Sequence, residues 1–322
     1  MDESLRSNAA CLFSIVIGVY NDWPSLDQCL RSLEQQVGAA SFEVIVVDDG
    51  SDEPAPQYIR GWARCYPITM VRQMHSGVSA ARNRGARMSR GSILVFVDAD
   101  CRIDRTCLAE LAAVINGSPH HHCFQLHLVG HYDGLVGRAE ELRLDTLQSH
   151  LLRSDGCVRY LNTAGFALRR DRVDVKKGVF HLAALRAQDT FLLAELLRDG
   201  EIPFFVKGAV VQHYVVLSLK EYLLKTGRSA YTAGKTYDLI ASKDVSVRVS
   251  HRERLDMILR MWRTAQQCSI GRAAWFVIVA KQTVSLLGSC AYKCVRFYKS
   301  WNILAYKHRS YPRQSYVRKI RG

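Results

Sequence analysis

The segment that ends in Asp98-Ala99-Asp100 constrains the fold most, because two carboxylates follow a run of five apolar residues. A half-buried strand alternates polar and apolar residues, so the unbroken run Ile93–Val97 predicts a strand buried on both faces. Residues two apart in an extended chain point to the same side, so Asp98 and Asp100 converge. Carboxylates this close repel each other unless a cation or a proton lies between them. A hard divalent cation that also holds a phosphate suits this geometry.

Two more apolar runs end in polar residues in the same way. Val44–Val47 leads into Asp48 and Asp49, and Ser14–Val19 leads into the residues 20–22. Ligands of open α/β sheets bind at the carboxyl ends of the strands. Three buried strands separated by helical stretches therefore predict a doubly wound, nucleotide-binding sheet.

Four segments in this order, SIVIGVYND, VIVVDDGSDE, HSGVSAARNRGA and ILVFVDADC, resemble the motifs of glycosyltransferase family 2. The resemblance covers about residues 11–215. It implies the GT-A fold, an α/β class with a Rossmann-like mixed sheet flanked by helices. It also implies a nucleoside-diphosphate sugar donor, usually a UDP-sugar, with Mn²⁺ or Mg²⁺ bound to the DxD carboxylates.

The pattern of elements predicts a catalytic domain over residues 1–217 and a helical region over 218–322. Strands are predicted at 14–19, 43–48, 68–72, 92–98, 161–168 and 204–214. Helices are predicted at 24–36, 55–65, 77–88, 105–115, 140–152, 187–199, 218–241, 251–267 and 271–299. Residues 116–138, rich in Gly, His and aromatic residues, are predicted to be loop and irregular strand.

The resemblance assigns roles to the residues that would hold the metal. Asp100 is the expected direct metal ligand, and Asp98 is expected to contact the ribose, or the metal through water. The ion would neutralise the departing diphosphate and act as a Lewis acid. His213, after a buried-type strand, lies where several family members bind the metal, although a structural histidine is the alternative. The run 120–122 contains three histidines, but adjacent residues do not converge on one ion, so a solvated loop is predicted.

Other residues are expected to bind the nucleotide. A carboxylate accepts hydrogen bonds without donating them. Asp49 is therefore suited to bind the N–H of uracil and the ribose, and Asp48 is a second candidate. Tyr20 is a candidate for stacking on the base, and an ordinary rim aromatic is the alternative. Arg82 matches the arginine of the family's ARNxG motif and is expected near the nucleotide.

The acceptor hydroxyl needs a general base, which the family supplies from the start of a helix. The matching residue is Asp189 in AQDTFLLAELL, with a plain helix N-cap as the alternative. Gln188 replaces the glutamate usual in the family and would contact the acceptor. Gly165 matches a stretch of small residues beneath the acceptor. Arg169 and Arg170 would contact diphosphate or an anionic acceptor, or lie at an exposed strand end.

The charge is concentrated at the end of the chain. The net charge is +14, and 13 basic residues but no acidic ones lie between Met257 and Gly322, which leaves +1 for residues 1–256. A polyanionic partner is therefore expected for the tail. Nucleic acid would suit this charge, but no recognisable nucleic-acid-binding module accompanies it.

The apolar segment 273–291 has the length of a membrane span. Lys281 and Gln282 lie at its middle, where a charge is costly, so contact with the membrane surface is favoured over crossing. Together with Trp275 and Trp301, the basic residues predict peripheral binding of 257–322 to an anionic membrane. The alternative is a soluble helical cap packed on the catalytic domain.

These observations predict an inverting, metal-dependent glycosyltransferase of polysaccharide biosynthesis. It would move a hexose or N-acetylhexosamine from a UDP-sugar to a hydroxyl on a lipid-linked or cell-surface glycan precursor. Polar residues 1–10 lack a secretory signal, and ten scattered cysteines predict reduced thiols, so a cytoplasmic location at the inner membrane face is expected. The rivals are a polyprenyl-phosphate glycosyltransferase, and a non-catalytic GT-A scaffold with a membrane- or nucleic-acid-binding tail.

Overall fold

A computed structural model describes residues 12–131, 134–214, 217–241, 247, 249–267 and 271–309. Its strands are β1 (Phe13–Val19), β2 (Phe42–Asp48), β3 (Ile68–Arg72), β4 (Ile93–Asp98), β5 (Cys101–Ile103), β6 (Cys123–His131), β7 (Gly165–Arg169) and β8 (Phe204–Tyr214). Its helices are α1 (Trp23–Glu34), α2 (Gln57–Arg60), α3 (Val78–Met88), α4 (Cys107–Gly117), α5 (Leu135–Leu151), α6 (Gln188–Arg198), α7 (Leu219–Ala241), α8 (His251–Ala265) and α9 (Gly271–Arg309). Short 3₁₀ helices follow α2 and β7, at Gly61–Arg64 and Arg170–Arg172.

The strands form one mixed sheet in the order β3-β2-β1-β4-β7-β6-β8-β5. The first four are parallel, so their carboxyl ends share one edge. β7 runs antiparallel to both β4 and β6. β8 is parallel to β6, and the short β5 is antiparallel to β8. The predicted mixed α/β sheet with flanking helices is confirmed.

The central strands are buried on both faces, as their apolar runs predict. In β1, Ile15 and Ile17 pack with α1 and α4, whereas Val16 packs with α3 and α6 on the other face. In β4, Val95 and Phe96 divide between the two faces in the same way. Helices on both faces leave the carboxyl edge of the parallel strands as the accessible edge of this part of the sheet.

Several predicted elements differ from the observed ones. The predicted helix at 55–65 is instead α2 followed by a 3₁₀ turn, and the strand predicted at 161–168 begins only at Gly165. Residues 116–138, predicted to be loop and irregular strand, contain the regular nine-residue strand β6 and the start of α5. The short strand β5 was not predicted. In β6, a Cβ at Gly130 would lie 2.6 Å from the backbone nitrogen of Glu141, so a glycine is needed where α5 crosses the strand.

The C-terminal helices α7, α8 and α9 pack with α5 around a separate apolar cluster. Residues 271–297 of α9 are the one helical stretch within the described chain that is long and apolar enough to cross a membrane, with a mean hydropathy of 1.4. Lys281 of that stretch forms an ion pair with the buried Glu140 of α5, and Tyr222 of α7 donates to the same carboxylate. α9 is thus attached to the sheet domain through α5. The boundary between residues 217 and 218 remains a prediction.

Candidate active site

The turn after β4 leads into β5 and brings Asp100 beside His213. Cys101 and His213 are register partners in the antiparallel pairing of β5 with β8. The carbonyl oxygen of Asp100 accepts the backbone N–H of Tyr214 at 3.0 Å, and His213 Nε2 lies 3.4 Å from Asp100 Oδ2. The predicted pairing of these two side chains at one point is therefore observed.

Asp100 and His213 belong to the one group of three metal-ligating side chains found among the described residues, whose ligand atoms lie within 4.8 Å of each other. Cys101 is the third member, and burial, together with the charges of Asp100 and Asp98, raises the pKa of its thiol well above the usual range. Burial alone would lower the pKa of His213, but the hydrogen bond and charge of Asp100 raise it. Burial alone would raise the pKa of Asp100, but His213 holds it below its ordinary value. A carboxylate beside an imidazole fits a divalent cation, which would replace the imidazole proton.

The other carboxylate of the pair, Asp98, is bound to protein. The buried guanidinium of Arg82, on α3, donates to Asp98 and forms an ion pair with it. The side chain of Asp98 keeps about a third of its surface exposed, at 35%. An aspartate neutralised by arginine is a weaker metal ligand than Asp100, so the geometry agrees with an indirect role for Asp98. Its predicted contact with ribose stays a prediction.

Asp48 and Asp49 are buried and bonded to protein groups. Asp48 accepts the backbone N–H of Ser51 at 2.8 Å, and Arg72 Nε lies 3.5 Å from its second oxygen. Asp49 Oδ1 accepts Gln73 Nε2 and the N–H of Ser76, at 2.7 and 3.0 Å.

The second oxygen of Asp49 is also engaged. Asp49 Oδ2 accepts the N–H of Gly77 at 2.8 Å, and His75 Nδ1 lies 3.0 Å from it. These contacts hold the loop that begins α3. Uracil would therefore have to displace a side-chain donor such as His75 to reach Asp49, and nucleotide binding by Asp48 and Asp49 stays a prediction.

An exposed aromatic pair lies beside this loop. Tyr20 is 46% exposed and stacks on His75, with the ring centres 4.2 Å apart and the planes inclined by 30°. An open depression is lined by three residues of the same loop, Gln73, Met74 and His75, together with Arg72 at the end of β3 and Gly50 after β2. A flat aromatic surface beside a polar depression suits a nucleobase. The sequence indicated Tyr20 but not His75, because the histidine is 55 residues away and belongs to no motif of a strand end.

Asp189 occupies the first turn of α6, as predicted. Its carboxylate accepts the N–H of its neighbour Thr190 at 3.1 Å, and Ala187 rather than Asp189 is the N-cap residue. Burial raises the pKa of Asp189, while the positive charge of Arg82 opposes that rise. The carboxyl therefore lies within the electrostatic reach of the donor-side ion pair. Gln188, the residue before it, is half-buried at the helix start.

The backbone before Asp189 is strained. Ala187 has φ +56° and ψ +36°, a left-handed conformation that costs a residue with a Cβ about 1–2 kcal/mol. Non-glycine residues in this region cluster at functional sites. Asp189 is thus presented by a specific turn, and no sequence pattern indicated that turn.

Gly165 and the arginines after it occupy opposite ends of β7. Gly165 is buried and pairs with Val97 beside the acidic turn, so it lies within the sheet at the edge that carries the site. Acceptor binding by Gly165 stays a prediction. Arg169 pairs with Ile93 at the other end of β4 and donates to the carbonyls of His121 and Ile115 at 2.9 Å.

Arg170 donates to Ser89 at that far end as well. The interpretation of Arg169 and Arg170 as diphosphate ligands is therefore wrong, because β7 runs antiparallel to β4 and carries them away from Asp100. The three histidines at 120–122 lie in a turn and at the residue before β6, where His121 packs on Phe204.

The site combines a carboxylate–histidine pair at the strand ends, an arginine-neutralised aspartate, and a third carboxylate, Asp189, whose pKa responds to the charges of Arg82 and Asp98. Residues 14–176 match the family model of glycosyl transferase family 2. The chain belongs to this family.

Relatives align over limited segments. The chain is 32% identical over 108 residues to glycosyltransferase AglE of Haloferax volcanii, an alignment that covers 33% of this chain and 36% of that protein. It is 27% identical over 107 residues to dolichol-phosphate mannosyltransferase of Pyrococcus furiosus, over 33% of this chain and 30% of the relative. The chain thus spans about a third of the length of either relative.

Solved structures resemble a larger part of the chain. S. aureus TarS 1-349 in complex with UDP has a TM-score of 0.53 at 15% identity, covering 88% of this chain and 91% of that one. Mannosyltransferase PcManGT of Pyrobaculum calidifontis, in complex with GDP-Man and Mn²⁺, has a TM-score of 0.57 at 16% identity, over 92% and 79%. These likenesses confirm the GT-A fold and its helical C-terminal region.

Proposed function

We propose that this chain is an inverting, metal-dependent transferase that moves a hexose or N-acetylhexosamine from a UDP-sugar to a hydroxyl group of a lipid-linked or cell-surface glycan precursor. The observation that carries the proposal is the pairing of Asp100 with His213 at the strand edge, with the half-buried Asp189 within the electrostatic reach of Arg82 and Asp98. Mn²⁺ or Mg²⁺ bound to Asp100 and His213 would neutralise the charge of the departing UDP. UDP in the complex of TarS and Mn²⁺ in that of PcManGT support this choice of ligands.

Asp189 is the proposed general base. Because burial raises the pKa of Asp189, its carboxylate is a stronger base than an exposed aspartate. Inversion follows if Asp189 deprotonates the acceptor hydroxyl as that oxygen attacks the anomeric carbon from the side opposite to UDP. Gln188 would bind a further acceptor hydroxyl, and Gly165 would leave room beneath it.

On the donor side, Arg82 and Asp98 would bind the ribose and phosphate region. We assign the nucleobase to the Tyr20–His75 pair, with Asp48 and Asp49 holding the surrounding loop. This revises the earlier expectation that Asp49 binds uracil directly, because its oxygens already have protein donors.

The polyprenyl-phosphate rival has a relative in its favour, the Pyrococcus furiosus mannosyltransferase. Its acceptor is a phosphate, which is already ionised and needs no base, so the half-buried Asp189 favours a hydroxyl acceptor. A non-catalytic scaffold would not need the Asp100–His213 pair or the strained turn at Ala187.

A panel of nucleotide sugars tests the proposal. The protein is incubated with Mn²⁺ and each UDP-sugar or GDP-mannose in turn, and release of the free nucleotide is measured with and without EDTA. Release of UDP from one UDP-sugar, abolished by EDTA, is the expected result. Release of GDP alone would overturn the choice of donor, and release unaffected by EDTA would overturn the metal.

The C-terminal region is proposed to bind an anionic membrane surface peripherally, at the inner face of the cytoplasmic membrane. Lys281 is engaged with Glu140, and Trp275 Nε1 donates to the Ile258 carbonyl at 3.0 Å, so one side of α9 faces the protein. The other side exposes an acid-free apolar stripe with helical spacing, which consists of Phe276, Thr283, Leu287, Cys290, Cys294 and Phe297. A helix with one bound and one apolar face, flanked by cations, suits the bilayer interface rather than a span.

Vesicle co-sedimentation tests this assignment on the intact chain. Phe276→Ser with Phe297→Ser should reduce binding to phosphatidylserine-containing vesicles, because both side chains are more than 60% exposed on the stripe. Tyr58→Ser removes an aromatic residue of 52% exposure from α2 and should not affect binding. Equal binding by all variants, or binding to RNA in place of vesicles, would exclude the stripe as a membrane surface.

A further inference from the structure

Asn83, next to Arg82 on α3, makes a two-bond contact with a distant backbone. Its Nδ2 donates to the carbonyl oxygen of Phe180 at 2.7 Å, and its Oδ1 accepts the backbone N–H of Phe180 at 2.8 Å. The side chain is buried, with 3% of the residue exposed. Both polar atoms of the asparagine side chain, Oδ1 and Nδ2, thus bond to one residue that lies 97 positions further along the chain.

The segment held by Asn83 is shaped for this contact. Gly178 has φ +99°, and a Cβ there would lie 2.8 Å from Asn83 Nδ2, so the approach requires a glycine. The ring of Phe180 packs edge-on against Phe96 of β4, with ring centres 4.9 Å apart. The guanidinium of Arg82 lies over the same ring, 5.4 Å from its centre. Phe180 therefore contacts the elements that carry Asp98 and its arginine partner.

The same segment continues to Asp189, nine residues further on. Its far end is also tied, because Thr236 of α7 donates to the carbonyl of Arg186 at 2.7 Å. Between the two ties, Ala184 is buried against Phe191 and Ile240. The strained Ala187 and then Asp189 follow. One helix, α3, thus carries both the donor-side Arg82 and the anchor of the segment that leads to the proposed base.

We propose that Asn83 is a positioning residue that fixes the segment 178–189, and with it Asp189, relative to Arg82 and Asp98. This inference rests on the proposed role of Asp189 as the base. A base displaced by about 1 Å can lose about 10²-fold in rate, so a tie between the two halves of the site has a direct kinetic consequence. Asn83 contacts no reacting atom in this account and acts only through the segment.

A double-mutant cycle separates positioning from general structural damage. UDP release is measured for wild type, Asn83→Ala, Asp189→Asn and the double variant, with the UDP-sugar that is turned over fastest in the panel. Asn83→Ala should lower turnover by about 10- to 100-fold while the affinity for UDP and Mn²⁺ stays within about twofold. In the Asp189→Asn background the same substitution should have almost no further effect, because the misplaced group is already absent.

Gln148 provides a matched control. It is buried on α5 and makes the same two-bond contact with the backbone of Leu128, at 2.7 and 2.9 Å. Gln148→Ala should lower the melting temperature about as much as Asn83→Ala but leave turnover within about twofold. If Asn83→Ala does not fold, Asn83→Asp, which keeps the shape and only the acceptor of the Phe180 N–H, takes its place in the cycle.

The results distinguish a failure of the positioning role of Asn83 from a failure of the proposed role of Asp189 as the base. Loss of turnover in Asp189→Asn, with an equal and independent loss from Asn83→Ala in both backgrounds, would overturn the positioning role alone. Wild-type turnover in Asp189→Asn would overturn the base and the positioning role together. A loss from Gln148→Ala as large as that from Asn83→Ala would assign the effect to stability and likewise overturn the proposal.

Discussion

Replacing Glu140 should loosen the attachment of α9 to the catalytic domain. Its carboxylate is 6% exposed and accepts hydrogen bonds from Tyr222, Lys281 and Arg143, with Arg143 Nη2 at 2.8 Å. Glu140→Gln preserves the shape but leaves two cations facing each other, each with less than a quarter of its side chain exposed. Removing one partner of a buried ion pair typically costs about 3–5 kcal/mol.

The lower end of that range is expected, because Lys281 can lose its proton. Burial already lowers the pKa of Lys281 to about 8. Without the charge of Glu140 that pKa falls further, so the lysine loses its proton more readily and the repulsion from Arg143 is reduced. The loss is then mainly that of the charge-assisted bonds, about 3 kcal/mol, which for a chain of this size lowers the melting temperature by about 6 °C.

Calorimetric or fluorescence melting at pH 7.5 measures this effect. Glu141→Gln is the matched control, because the next residue forms a pair with Arg138 that is 24% exposed on each side and should cost less than about 1 kcal/mol. Lys281→Met should also cost less than about 1 kcal/mol, since Glu140 keeps Arg143 and Tyr222. If Glu140→Gln melts within about 1 °C of wild type, the buried ion pairs of Glu140 do not contribute the stability predicted for them.

Three further predictions follow from the site. Asp189→Asn should lower turnover by about 10²- to 10⁴-fold and remove the acidic limb of the kcat/KM profile, which lies above the ordinary carboxyl range because burial raises the pKa of Asp189. Because its pKa is raised in the folded state, Asp189 makes the folded state less stable as the pH rises through that pKa. Asp189→Asn should therefore melt at a higher temperature than wild type at pH 7, and a lower melting temperature would contradict this. Ala187→Gly should leave turnover near the wild-type value and should keep or raise the melting temperature, because φ is +56° at this position. Ala187→Val should lower the turnover and the melting temperature, and equal tolerance of valine would argue against the strained turn. Arg169→Ala should cost about 1–3 kcal/mol of stability by leaving carbonyls unpaired, with unchanged UDP affinity by calorimetry, and a selective loss of UDP binding would return Arg169 to the donor site.

The central strands could be predicted from the sequence because their environment is uniform. β1, β2 and β4 have helices on both faces, so their central positions are apolar, and a carboxylate is the last residue of both β2 and β4. The buried Ser14 and Glu43 are polar exceptions near the strand starts, where they bond to each other. β6 was missed because its sequence, CFQLHLVGH, includes Gln125 and Gly130, whose roles are tertiary. Gln125 is buried and bonds the backbone around Asn162 and Gly165, and Gly130 admits α5.

The site was predictable where a motif specifies both the residue and its place on an element. Asp100 follows β4 and His213 lies near the end of β8, and the two meet where β5 pairs with β8. Asp189 lies where the helix pattern begins. A motif of this kind does not specify whether a strand runs parallel or antiparallel to its neighbour. β7 reads as an ordinary strand, and only its antiparallel pairing with β4 shows that Arg169 lies away from the site.

The partners of a predicted residue were equally hidden from the sequence. The sequence did not show that Gln73, Ser76, Gly77 and His75 surround the carboxylate of Asp49. In the sequence Asn83 is only a residue of the ARNxG motif, and its contact with Phe180 appears only in the structure. Contacts between residues far apart in the chain are set by packing, and a local pattern carries no record of them.

Metal-dependent binding of UDP tests the central claim most directly. Titration calorimetry of UDP is carried out on wild type and on Asp100→Asn, each with Mn²⁺ and with EDTA. The account predicts that Mn²⁺ tightens UDP binding to wild type by about tenfold or more and that Asp100→Asn loses this gain, since Asp100 and His213 would hold the ion that neutralises the diphosphate. An equal gain from Mn²⁺ in Asp100→Asn, or none in wild type, would contradict the metal site and the mechanism built on it.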